Sequence, residues 1–164
     1  MVGTKTDRRA RAEHLFRVVS SDRFLQKQGL GNEVPFFICA FDAEDGLSLG
    51  EDREDLIARL SHAGVRVLDI DLYDLSIRIL EDRGIFEQIL EVEAETEKAE
   101  LKELLQGVLD PQAHLIPEIA RRIEEVPHDV IFLSGVGEVY PYLRSHNVLN
   151  NLQSTAKDRP TVMF

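Results

Sequence analysis

Four apolar runs, set apart by helical patterns, constrain the fold of this chain more than any other feature. They are "VPFFICAF" (34–41), "VRVLDIDL" (65–72), "HDVIFLSG" (128–135) and "RPTVMF" (159–164). The first is apolar throughout, as expected of a strand covered on both faces, and its proline sits near the start, where a strand tolerates it. Helical patterns stand between the runs. "DRRARAEHLFRVVSSDRFLQKQG" places Ala12, Leu15, Phe16 and Val19 at helical spacing and predicts one helix over 7–28, broken by Gly29 and Gly31. "AEDGLSLG" reads as a loop. "EDREDLIARLSHAG" reads as a helix with four acids among its first five residues and Gly64 at its C-terminal stop. "DLYDLSIRILEDRG" reads as another, capped by Asp71 and closed by Gly84. This rhythm predicts an α/β fold: a parallel sheet, Rossmann-like or P-loop-like, of about four or five strands with helices on both faces.

The middle of the chain interrupts the rhythm. Residues 85–110 hold no strand pattern; two helical patterns meet near Glu95 and Thr96, with Thr96 suited to cap the second. Asp110 and Pro111 then open a further helix, and Pro117 imposes a second start or a kink. A helical insertion over about 85–126 is expected between the second and third strands. At 164 residues the chain makes a single domain, 1–164. Because "RPTVMF" runs an apolar strand into the last residue, a C-terminally shortened chain is expected.

Charge is unevenly spread. Residues 1–28 balance to +4, residues 28–139 to −17 and residues 140–164 to +2, for a net −11. So acidic a body repels a phosphate backbone, which leaves nucleic-acid contact only to Arg8, Arg9, Arg11, Arg17 and Arg23 of the first helix. The alternative for that helix is a solvated face, or one docked on the acidic body. No apolar run approaches the roughly 18 residues that cross a bilayer, and the N-terminus lacks the apolar segment of a secretory signal. A cytoplasmic protein with no membrane partner is expected. The single cysteine, Cys39, excludes an internal disulfide framework and a multi-thiolate zinc site.

The stretch "SGVGEVYPYLRSHNVLNNLQ" (134–153) carries the candidate site. It follows a strand, and Gly135 and Gly137 sit where a phosphate-gripping loop needs them. Its chemistry is incomplete: no lysine follows, "GK[ST]" is absent from the chain, and Glu138 puts a negative charge where a phosphate would lie. Pro141 is read as the first turn of the next helix. On that helix Ser145, Val148, Leu149 and Leu152 share one face, while Arg144, Asn147 and Asn151 share the other, with His146 and Asn150 beside them. Asparagine is a poor helix former. Three within five residues call for a polar network that pins the helix to neighbouring loops, or for a partner recognised with Arg144 as anchor. Gly135, Gly137, Tyr140, Arg144, His146, Asn147, Asn150 and Asn151 are thus the candidate partner-binding or structural residues.

The carboxyl ends of parallel strands gather ligands, and Asp42–Asp45, Asp69 with Asp71, and Ser134–Tyr140 are expected to converge there. Asp69 and Asp71 point to one side and are able to hold Mg²⁺, although capping explains Asp71 equally well. The five histidines show no ligand spacing, and Ser134 lacks the G-x-S-x-G context of a nucleophile elbow. No catalytic, cofactor-binding or metal residue is therefore assigned, and no cofactor. The acidic helices of 85–105 read as a solvated face or as an arm for a basic partner.

Several stretches resemble the BrxB family of bacteriophage exclusion (BREX) systems: "LQKQGLGNEVPFFICAFD", "VRVLDIDLYDLSIRILEDRGIFEQIL", "VLDPQAHLIPEIARRI" and "DVIFLSGVGEVYPYLRSHNVLNNLQSTAKDRPTVMF". The likeness runs from about Phe24 to Phe164, and its most specific element is G-V-G-x-V-Y-P-Y-x-R-S-H-x-x-L-N-N-L, Gly135–Leu152. Members of the family usually continue past the equivalent of "PTVMF" into an apolar-Pro-Gly segment. The resemblance implies a role rather than a reaction. It points to a non-enzymatic component of anti-phage defence, encoded beside a methyltransferase, a large ATPase and the phosphatase-like PglZ. An adaptor is implied, with PglZ as first partner and the BREX ATPase as second. The alternative from the residues is a degenerate nucleotide-binding module.

Overall fold

The computed structural model describes residues 5–31, 33–41 and 46–164. Helix α1 (Lys5–Val19) and the short α2 (Asp22–Leu25) precede β1 (Phe36–Ile38). The chain continues through α3 (Gly46–His62), β2 (Val67–Asp71), α4 (Leu72–Asp82), α5 (Phe86–Glu93) and α6 (Lys98–Val108). A π-helical turn (Pro111–Leu115) leads into α7 (Ile116–Glu125), followed by β3 (Val130–Ser134), α8 (Ser145–Leu152) and β4 (Thr161–Met163). The expected helical insertion is thus α5, α6 and α7. The four strands form one sheet in the order β1-β4-β3-β2, parallel at every pairing.

Alternate side chains of the central strands enter two separate cores. From β3, Ile131 and Leu133 join Leu68, Ile70 and Met163 under α4, α7 and α8; Val130 and Phe132 join Val162 and Phe164 under α1, α2 and α3. Helices cover both faces, which is why these strands read as unbroken apolar runs. Phe132 is fully buried and meets the edge of the Phe164 ring at 5.0 Å between centroids.

β1 departs from expectation. Its run predicts a strand covered on both faces, yet it lies at the sheet edge, spans three residues, and leaves Ile38 70% exposed. Pattern alone cannot assign pairing order, and an edge strand has only one neighbour to cover it.

Several boundaries differ for local reasons. The helix expected over 7–28 is two helices, because Ser21 leaves the helical conformation and its hydroxyl accepts from the Phe24 amide to cap α2. α3 begins at Gly46 inside the expected loop, so Glu51–Asp55 fall past its first turn. Those acids serve another purpose: Asp52 accepts Nε of Arg8 at 2.8 Å, and Glu13 of α1 accepts Nη2 of Arg59 at 2.7 Å. With Arg59 also over the Phe16 ring, the basic first helix is docked on acidic α3. Thr96 closes α5 by donating to the Val92 carbonyl rather than capping α6, whose N-cap is Glu97. Asp71, Gly64, Gly84 and Asp110 perform the capping and stopping roles read for them.

The sheet register starts from a charged clamp. Asp129 accepts the Arg66 backbone N–H and two guanidinium bonds at 2.8–2.9 Å, while its own N–H donates to the Arg66 carbonyl. The Arg66 side chain holds the Asp129 carboxyl down at about 2. A depressed carboxyl contributes stability that is complete above its unfolded value, near 4, and is lost as pH falls through the folded value. Asp129→Asn should therefore lower stability at pH 6–7 and flatten its dependence between about pH 4 and 2, as read by urea unfolding across that range.

Candidate functional site

The chain leaves β1 toward the face covered by α3, but leaves β2 and β3 toward the opposite face, with α4 and α8. With the connections of β1 and β3 departing toward opposite faces on either side of β4, a crevice opens at the carboxyl ends of the strands. A cleft of about 720 Å³ lies there, bordered by Phe41, by Leu49, Gly50 and Arg53 of α3, by Asp71, by Ser134–Glu138 and by Phe164. Two of the three segments expected to converge do so, at Asp71 and at Ser134–Glu138. Asp42–Asp45 lie outside the described residues.

Asp71 organises the cleft. One carboxylate oxygen accepts the Tyr73 and Asp74 amides at 2.9 and 3.2 Å and caps α4; the other accepts the Ser134 hydroxyl at 3.2 Å. Gly135 adopts φ +74° directly above it, and a Cβ there would stand 2.4 Å from that cap oxygen and 2.9 Å from the Tyr73 nitrogen. Gly135 is thus required by contact with a carboxylate. Gly137 has open space around its Cα.

Arg53, on α3, escaped sequence reasoning because nothing in its neighbourhood marks it. Its side chain is only 15% exposed, its guanidinium stands 3.6 Å from Asp69 and 3.8 Å from Asp71, and its Nε is buried without a partner. Burial pushes the Asp69 carboxyl up, against the opposing pull of Arg53. The acids read as a possible Mg²⁺ pair thus share an arginine. Among the described residues no group of three or more His, Cys, Asp or Glu side chains is placed to hold a metal, and no helix is long and apolar enough to cross a membrane.

The signature beyond Gly135 is not a helix start. Residues 136–143 form successive turns, with Val139 and Leu143 amides donating to Gly135 and Val139 carbonyls, and the Tyr140–Pro141 peptide is cis. α8 begins only at Ser145, with Arg144 as its N-cap, so Pro141 does not occupy the first turn. Val148 and Leu152 are buried as expected, whereas Tyr140 is 63% exposed and Arg144, His146, Asn147 and Asn150 face solvent. The half-buried Asn151 donates to the Asn147 carbonyl at 2.7 Å, and Asn150 accepts weakly from Gln153. Among the described residues, the polar side chains of α8 bond only within 144–153. Gly135 and Gly137 border the cleft, whereas Arg144, the N-cap of α8, and the asparagines on α8 are not among the residues that line it.

The sequence model of the family described as "BREX protein BrxB" matches residues 68–164, more than half of the chain and all of the signature. A BREX protein BrxB of Bacillus cereus (strain H3081.97) is 28% identical over 158 residues, covering 94% of this chain and 81% of that protein. A BREX protein BrxB of Escherichia coli O9:H4 (strain HS) is 29% identical over 146 residues, covering 89% and 72%. No solved structure matches the chain.

The two glycines separate by experiment. Gly135→Ala should destabilise by about 2 kcal/mol or more, combining a strained backbone with a displaced α4 cap. Gly137→Ala should stay within about 0.5 kcal/mol of the parent; chemical denaturation of both variants measures the difference.

Proposed function

This chain belongs to the BrxB family, and from that premise we propose that it is a non-catalytic, cytoplasmic adaptor of a bacterial anti-phage BREX system. It acts by binding another component, PglZ first and the BREX ATPase second. The observation that carries the reading is the outer face of α8. Arg144, His146, Asn147 and Asn150 present an uncommitted polar surface on the most distinctive segment of the chain, and their helix is anchored from behind by Val148 and Leu152. A helix so rich in asparagine is intrinsically poor, and no bond to a neighbouring element offsets this among the described residues. Arginine and amides on a rigid support suit a protein interface, with Tyr140 as an exposed aromatic beside them.

Co-expression of the full chain with tagged PglZ and with the tagged ATPase, followed by size exclusion, tests the reading. A co-migrating complex weakened about tenfold or more by Arg144→Ala with Asn147→Ala is the expected outcome. Absence of any complex with the parent chain would remove the adaptor reading.

A second reading, a nucleotide-binding module that has lost its lysine, draws support from the cleft. Arg53 brings a half-buried cation, whose buried Nε has no partner, to the carboxyl ends of the strands. Against it stand Asp71 and Glu138 on the same walls. A nucleotide that binds the folded chain at concentrations well above its Kd raises the melting temperature by mass action. An unchanged melting temperature with millimolar ATP, GTP and Mg²⁺ would remove this reading.

A further inference from the structure

α5 and α6 contain no fully buried residue, although both carry regular apolar stripes. Their stripes face each other and α4 across an open groove of about 220 Å³. Leu80, Leu105 and Leu109 contribute to it from below, and Phe86, Ile89 and Leu101 from the sides. Tyr73 and Leu90, 43% and 45% exposed, stand on its border. The signature segment reaches the same place: Tyr142 lines the groove, and the Pro141 carbonyl accepts Gln106 of α6. At its base the hairpin is fixed by Arg83, the C-cap of α4, which donates to the Val108 carbonyl.

The charge around this groove is uncommitted. Seven glutamates lie between Glu87 and Glu103 against Lys98 and Lys102, and all seven are exposed. Several acids elsewhere are paired: Glu51 and Asp52 with Arg8, and Glu118 and Glu125 with Arg121. Among the described residues, none of the seven has an ion-pair partner. Glu93 lines the groove itself, and an apolar floor on so acidic a hairpin favours one kind of occupant, an amphipathic helix with a basic polar face.

We propose that the groove between α4, α5 and α6 docks a basic amphipathic helix of a partner protein. The proposal rests on the adaptor reading in assuming a protein partner, and adds a second surface and the chemistry of what fills it. α6, with 11 residues, offers about 16 Å of length, or roughly three turns of the incoming helix. Apolar side chains at i, i+3, i+4 and i+7 would meet the floor while lysine or arginine on the flanks meets the glutamates.

The test uses the full chain and a fluorescein-labelled synthetic peptide of about four turns, with leucines at helical spacing and lysines elsewhere. Two control peptides replace its lysines by glutamates or break its helix with a central proline. The basic peptide should raise fluorescence anisotropy with an affinity about tenfold or more above either control. Tyr73→Lys with Leu90→Lys, and separately Glu93→Lys with Glu97→Lys, should each cut that affinity about tenfold, while Arg144→Ala leaves it unchanged. All four substituted positions are exposed, and an unchanged melting temperature verifies that the variants fold. Equal binding of the basic and proline-broken peptides, or binding indifferent to the groove substitutions, would overturn the proposal. These outcomes do not depend on whether PglZ or the ATPase co-migrates with the parent chain, so the groove and the adaptor reading stand or fall separately.

Discussion

All five residues of β3 are buried, so its side chains need cover on both faces and its peptide groups need partners on both edges. β2 and β4 supply the edges; α4, α7 and α8 supply one face, and α1 to α3 the other. A side chain such as Phe132 thus links the N-terminal helices to the C-terminal strand, while Leu133, one position on, links α4 to α8. The Arg66–Asp129 clamp begins the β2–β3 pairing, and the Ser134–Asp71 bond sits where it ends. Pairing register is bounded by a polar contact at each end and fixed between them by alternation.

At the second of those ends the structure turns from architecture to surface. Asp71 holds the first turn of α4, receives Ser134 and leaves room only for a glycine above it. The glycine loop therefore starts in direct contact with a carboxylate of the protein itself. Elsewhere, polar side chains of α8 face solvent over the buried Val148 and Leu152, and the glutamates of α5 and α6 face solvent on helices that bury no residue fully.

The sheet and its two helical layers were legible because unbroken apolar runs demand two-sided cover, and because Asp71, Gly64, Gly84 and Asp110 are strong local signals. Where competing local chemistry was present, the reading slipped. The glycines of "GLSLG" concealed the first turns of α3, Ser21 divided the N-terminal helix, and Pro141 suggested a helix start where the chain makes turns. The exposure of Ile38 was illegible because sheet order is a property of the whole chain. Arg53 was missed for a related reason: it faces the cleft only because α3 crosses the sheet above Asp69 and Asp71. The face of α8 was placed correctly, since the burial of Val148 and Leu152 follows directly from helical spacing.

The order β1-β4-β3-β2 also fixes when this fold becomes available to a growing chain. Phe36 pairs with Thr161, so β1 must wait for 125 further residues before its neighbour exists. At typical rates of synthesis that interval is about 6–25 s. Only late in that interval, once residue 134 has been made, are β2 and β3 able to pair and gather α4 to α7, while α1, α2 and α3 have only half a sheet to cover. β4 is therefore the strand that ties β1 to the β2–β3 pair, a long-range closure that local contacts cannot replace.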